Sequence, residues 1–410
     1  MQSLKTAEQA VRQMWSFSQA LDLALVDEEI RKGLKVEVGY QHGERVGYIS
    51  VRLGDVLGLK GSDLFLLLMA GLMHDIGALG AFADAHGQTK MMELHSQLGA
   101  EILRDFPGGE KLYAALLYHH KTPLTKPDAP LMAKIISLAD KLDLILPRRK
   151  TTYQERADIL NRIRACSGTE YYPEVVQALE RVADEEAFWL YLSEYNLLSP
   201  TLDFMFYSRK EQDCLDYDGI CDEIRSRSFV DKLGVIFAFL IDQKSDFTGK
   251  HSRRVAENAY KLAGHLGWSE EDRKDIMLAG LLHDLGKLAV PQKILDKPGV
   301  LSSSEIEIIK SHTYYTYNLL SAAGFARHII EWASYHHERL DGKGYPFRLS
   351  ANDLSIGSRI MTIADMYSAL TEDRPYRDGL PAEKALQIIA EGKGRLVDSE
   401  LFEVARKAFL

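Results

Sequence analysis

Ten of the thirteen histidines in this 410-residue chain fall on one spacing pattern that is written twice. The first copy is His42, His74-Asp75, His95, His119-His120 and Asp140, and the second is His251, His283-Asp284, His312, His336-His337 and Asp365. His42 to His74 and His251 to His283 are both 32 residues, and His95 to His119 and His312 to His336 are both 24. The remaining two intervals are each eight residues longer in the second copy, 29 against 21 and 28 against 20. Loops lengthen in this way while a helical frame stays fixed. The pattern is that of a duplicated metal site, and it constrains the chain to two related units.

Length agrees, since 410 residues give each half enough chain to close its own core. With 46% hydrophobic and 27% charged residues the composition is that of an ordinary globular protein, without a low-complexity tract. The longest strongly apolar run, Leu64 to Met73, is about half of the roughly 20 residues a membrane helix requires, and the N-terminus shows no signal-peptide pattern. The expectation is a cytoplasmic protein with no membrane association. Three cysteines, Cys166, Cys214 and Cys221, in no ligand spacing, fit a reducing compartment. A net charge of −9 argues against nucleic-acid polymers as partners, because their binding rests on basic surfaces. A phosphate-bearing substrate must therefore be held locally.

Apolar residues recur at three- and four-residue steps throughout, which predicts an all-α fold. Val255, Ala259, Leu262 and Leu266 form one stripe that stops at Gly267. Ser269, followed by Glu270, Glu271 and Asp272, reads as a helix start with acidic residues complementing the dipole, and that helix delivers His283-Asp284 near its end. Ser62-Asp63 is expected to do the same for His74-Asp75. Ser302 to Ser304 starts the helix carrying His312, Gly324 ends it, and Pro381 suits a first helical turn. Pro173-Glu174-Val175-Val176 and Ser399-Glu400-Leu401-Phe402 give each unit a terminal helix. The expected division is 1–195 and 196–410, with helices from about Phe188 to Phe247 joining the units.

Four or five imidazoles and two carboxylates per copy exceed one tetrahedral zinc and suit two near-octahedral ions sharing a carboxylate. In the second copy Asp284 bridges, His251, His283 and Asp365 serve one ion, and His312, His336 and His337 serve the other. Such a pair generates a hydroxide for in-line attack on phosphorus, so the spacing implies a metal-dependent phosphohydrolase.

The second half resembles the HD-GYP family of bacterial cyclic-dinucleotide phosphodiesterases. The matching text is His283-Asp284-Leu285-Gly286-Lys287, His336-His337-Glu338-Arg339-Leu340-Asp341-Gly342-Lys343-Gly344-Tyr345-Pro346, Ala364-Asp365 and Arg374-Pro375-Tyr376-Arg377, over about residues 230–410. The resemblance implies two tandem HD-type domains and hydrolysis of cyclic di-GMP or 3′,3′-cyclic GMP-AMP to a linear dinucleotide, with two divalent ions, iron or manganese. It implies Asp284 and Lys287 as catalytic groups, Lys287 at the scissile phosphate, Arg374 and Arg377 on the second phosphate and guanine edges, and Tyr345 in the loop beside the substrate. Two departures stand out: Phe247 replaces a glutamate that holds a third metal in some members, and Ser368 replaces an aspartate that contacts a base.

The first copy resembles the broader HD superfamily but has Ala78 in place of Lys287 and Lys121-Thr122-Pro123-Leu124 in place of the signature loop. Its seven residues are expected to form a second metal site. Three readings stand for it: a metal-binding scaffold or regulatory unit, a hydrolase removing a terminal phosphate from the product, or a unit without metal. For the whole chain the rivals are a module that senses nucleotides without cleaving them and a general HD-type nucleotidase. A homodimer is left open.

Overall fold

In a computed structural model the described residues are all but 1, 32–40, 79–88, 194–195, 208–217, 226, 245–250 and 374–377. They divide into two compact units, Met1–Val230 and Asp231–Leu410. The boundary differs from the expected division after residue 195: the described helices Leu198–Leu202 and Asp218–Arg225 fall within the first unit. Among the described residues there is no strand, only the isolated bridges Ser167 to Tyr171, Asp341 to Ser350 and Lys393 to Val397. The fold is all-α.

In the first unit α1 (Gln2–Arg31) lies on α2 (His42–Val56) and α3 (Gly61–Leu72), followed by α4 (Thr89–Ile102), α5 (Gly109–Tyr118) and α6 (Leu131–Ile145). Then come α7 (Tyr153–Ala165), α8 (Pro173–Ala183), α9 (Glu186–Tyr191), α10 (Leu198–Leu202) and α11 (Asp218–Arg225), the last packed on α1 and α3. The apolar run Leu64 to Met73 is the buried heart of this unit, carried by α3.

The second unit repeats the plan. After α12 (Arg227–Lys244), which crosses the division, come α13 (His251–His265), α14 (Glu270–Leu282), the short α15 (Gln292–Leu295), α16 (Ser303–Ala322), α17 (Arg327–Ser334), α18 (Ile356–Thr371), α19 (Ala382–Ala390) and α20 (Ser399–Phe409). The extra residues fall where the intervals predicted, between α14 and α16 and between α17 and α18.

Most helix boundaries follow local chemistry. Val255, Ala259 and Leu262 are buried along α13. Gly267, at φ 75°, then closes a Schellman turn in which its own N–H bonds Gly264 O and that of Trp268 bonds Ala263 O. Ser269 Oγ accepts from Asp272 N, and Ser302 with Glu305 forms a reciprocal capping box on α16. Two expectations shift, the first by two residues and the second by one. The chain enters α3 through Gly61, at φ 50°, so Lys60 is the cap position, Ser62 falls inside the first turn, and no side chain caps this end. Pro381, with ψ 149°, precedes the first turn of α19 instead of sitting in it.

Candidate metal centres

Four of the ten histidines stand just beyond the C-terminal ends of helices: His74 after α3, His119 after α5, His283 after α14 and His336 after α17. Each donates from Nδ1 to the carbonyl three residues back, at Gly71, Leu116, Gly280 and Ala333. His312, inside α16, does the same to Ile309. A carbonyl only accepts, so the proton is on Nδ1 and the Nε2 lone pair of each ring is left facing inward. In each unit the carbonyl ends of two such helices therefore lie at the cluster, where their negative dipole ends favour a cation.

In the second unit these lone pairs converge. His312 Nε2 is 3.4 Å from His336 Nε2 and 3.5 Å from Asp284 Oδ1, while His283 Nε2 is 3.3 Å from Asp284 Oδ2. One carboxylate thus reaches both groups of imidazoles with separate oxygens. His251 Nε2 lies 3.1 Å from Asp365 Oδ1. His251, His283 and Asp365 can offer atoms to one ion, His312, His336 and His337 to a second, and His283, Asp284 and His336 also cluster.

Two neutral imidazoles whose lone pairs meet at such distances repel unless a cation lies between them. His283 Nε2 is buried with no hydrogen-bond partner, as is Asp140 Oδ1 in the first unit. The donor set therefore fits hard or borderline divalent ions held by nitrogen and carboxylate oxygen.

The first unit has the same geometry. Asp75 sends Oδ2 to His42 (3.6 Å) and His74 (3.4 Å) and Oδ1 to His95 (3.3 Å). His95 Nε2 is 3.3 Å from His119 Nε2 and 3.0 Å from His120 Nε2, and Asp140 Oδ1 is 3.4 Å from His42. All seven sequence-derived positions come together here, as do their seven counterparts in the second unit.

The electrostatics follow from burial. It pulls His120 and His312 down to about 3, and takes His119 and His336 well below the usual imidazole range, keeping these rings neutral. Burial pushes Asp284 up, but the neighbouring His283 ring and the Lys287 ammonium prevail and hold it well below the carboxylate range. His251 goes the other way. Burial lowers it, yet hydrogen bonds to Asp365 and Glu372 raise it to about 10, so without a cation this ring carries a proton that a metal ion must displace.

Lys287, in the turn after His283-Asp284, donates from Nζ to Asp284 Oδ2 at 2.6 Å, and its counterpart Ala78 is buried. Tyr345 lies over the site, its ring 4.9 Å from that of His337 and 6.5 Å from that of His312. Arg374, Arg377 and Phe247 lie outside the described residues. Ser368 is fully buried, accepts from Asn258 Nδ2 and donates to Ala364 O, so its hydroxyl is committed to helix packing and not to a ligand.

Several supporting residues were missed from sequence. Glu372 accepts from His251 Nδ1 at 3.0 Å, and Asp143 accepts from His42 Nδ1 at 2.7 Å while also binding Arg45 and Arg148. These are carboxylates that fix a ligand's orientation and basicity. The only sequence signal was that each lies on the same helical face as the final aspartate, one turn or two turns on. Glu338, directly after His337, is buried and accepts from Phe347 N and Leu349 N, so its carboxylate closes the signature loop upon itself. Thr316 Oγ1 donates to His283 O and accepts from Gly286 N, pinning the turn between metal ligand and lysine.

Two buried imidazole-carboxylate clusters, each set in one copy of the same helical frame, define a tandem HD-domain protein. Comparison with known proteins agrees: HD domain families match residues 236–401 and 39–145. The chain is 31% identical over 382 residues to 3′3′-cGAMP-specific phosphodiesterase 1 of Vibrio cholerae, covering 88% of this chain and 86% of that one. It is 35% identical over 174 residues to the cyclic di-GMP phosphodiesterase of Thermotoga maritima, 42% of this chain and 47% of the relative. A crystal structure of a V. cholerae cyclic GMP-AMP-specific phosphodiesterase has the same fold, with a TM-score of 0.63 at 23% identity over 97% of both chains. The chain belongs to the HD-GYP family.

Proposed function

We propose that this chain is a metal-dependent phosphodiesterase that opens a bacterial cyclic dinucleotide, 3′,3′-cyclic GMP-AMP or cyclic di-GMP, to the linear dinucleotide. Residues 231–410 carry the reaction. The observation that supports it most is the meeting of bare Nε2 atoms around Asp284, with Lys287 Nζ 2.6 Å from the same carboxylate. Two divalent ions, iron or manganese, bound to His251, His283, Asp284, His312, His336, His337 and Asp365 would polarise a phosphoryl oxygen and acidify a water.

The protein's own groups do the rest. Asp284 spans the two ligand groups and fixes their separation. Lys287 is held beside it and directed at the scissile phosphate, where it meets the charge that develops on the departing oxygen. Tyr345 covers the site next to His337 and limits water. Water adds across one P–O ester bond, which breaks, and the leaving oxygen takes up the proton.

The first unit has a matching ligand set, but it has Ala78 at the position of Lys287 and lacks the signature loop. It holds metal as a scaffold or regulatory unit and does not open cyclic dinucleotides.

The test is incubation of the purified full chain, loaded with Mn²⁺ or Fe²⁺, with 3′,3′-cyclic GMP-AMP, cyclic di-GMP and cyclic di-AMP, with products separated by chromatography. Linear dinucleotide from at least one of the first two is expected. Tight binding with the ring intact after long incubation would favour the nucleotide-sensing alternative.

A further inference from the structure

The repeats exchange charges at one pair of positions beside the metal clusters. In the first unit Glu93, two residues before His95, accepts from Lys121, directly after His120, across 28 residues of chain. The same interval in the second unit joins Lys310, two residues before His312, to Glu338, directly after His337. Acid and base have changed places, yet the ion pair is not remade. Glu338 is turned away, spending both oxygens on Phe347 N at 2.7 Å and Leu349 N at 3.0 Å.

Lys310 is therefore left exposed, in no ion pair among the described residues. Its Nζ lies 5.4 Å from the centroid of the Tyr345 ring, the ring that covers His337. The loop that roofs the centre has thus drawn off the carboxylate that would have neutralised this cation. Lys287 is turned inward, beside Asp284.

We propose that Lys310 is a specificity-determining residue that holds the second, non-scissile phosphate of a cyclic dinucleotide at the rim of the C-terminal centre. This rests on the cyclic-dinucleotide reading. Such a ligand presents two phosphates, of which the metal ligands and Lys287 address one. In a chain of net charge −9 the other must be held by local cations; the resemblance assigns it Arg374 and Arg377, and Lys310 adds an ammonium group, which on a charged phosphate oxygen forms one of the stronger hydrogen bonds. A ligand with a single phosphodiester has nothing to offer Lys310. The residue selects between ligands without touching the bond that breaks.

The experiment compares full-length, Mn²⁺-loaded wild type with Lys310→Gln and Lys310→Arg on 3′,3′-cyclic GMP-AMP, cyclic di-GMP and bis(4-nitrophenyl) phosphate, which has one phosphate. In Lys310→Gln, KM for the cyclic dinucleotide should rise about tenfold with kcat within about twofold, and the cyclic-to-single kcat/KM ratio should fall by about the same tenfold factor. Lys310→Arg should restore most of the loss. Equal loss on both kinds of substrate would assign Lys310 to support of Tyr345 and overturn the proposal, as would an unchanged KM. A wild type that cleaves the single diester but no cyclic dinucleotide would overturn the functional reading and Lys310's role together; normal wild-type turnover with an unaltered Lys310→Gln KM would remove only the latter.

Discussion

At the scale of single residues, the two units solve one problem with different side chains. The first His of each cluster must present Nε2 inward, and a carboxylate behind Nδ1 holds it so: Asp143 for His42 and Glu372 for His251. Glu372→Gln should weaken metal binding by the C-terminal unit about 10- to 100-fold, read by titration against a chelator, because the ring loses its charged anchor. Asp284→Ala should abolish hydrolysis of every substrate and lower the metal content, measured on the purified chain. A different carboxylate governs stability. Glu44 on α2 is buried, and burial raises it to about 7 against hydrogen bonds from Gln19, Trp15 and Gln41. Its folded value lies above the unfolded one, so the folded state binds the extra proton and stability falls as pH rises from about 4.5 to about 7. Glu44→Gln should therefore raise the melting temperature at pH 8 and leave it nearly unchanged at pH 4.5; an equal shift at both would refute this.

At the scale of elements, the signature loop depends on Glu338 and Gly344 together. A Cβ on Gly344 would stand 2.4 Å from Glu338 Cα, so the backbone passes where only glycine fits. Gly344→Ala should cost about 1–3 kcal/mol through overpacking and raise KM for the cyclic substrate more than it lowers kcat, as steady-state kinetics would show. The same close approach recurs at the turns after the His-Asp pairs, where a Cβ on Gly77 or Gly286 would meet the carbonyl of His95 or His312. Here sequence reading was partly sufficient. The Gly267 stop, the Ser269 cap and the helix start at Ser302 were legible because their chemistry is local. The α3 start was not, because Gly61 overrides the serine beside it, and neither was the work of Glu338, which depends on where Phe347 and Leu349 return in space.

At the scale of the whole molecule, duplication was legible from histidine intervals alone, since the conserved ones of 32 and 24 residues link helices that hold the ligands, and the lengthened ones are loops. Position 368 shows the limit of that reading. It corresponds in spacing to Asp143, and the structure sends it into the interior, with the anchoring role passed to Glu372 four residues on. Independent clusters predict independent metal contents: the full chain carrying His283→Ala with Asp284→Ala should retain the ions of the first unit, and Asp75→Ala those of the second, as elemental analysis would show. Five of the imidazoles are oriented by main-chain carbonyls, a form of restraint that no ion has to supply. Stripping and reloading then become a matter of diffusion and not of refolding. A chain cleared of cations by dialysis against a chelator should keep its far-ultraviolet spectrum and recover activity within the mixing time once manganese is returned.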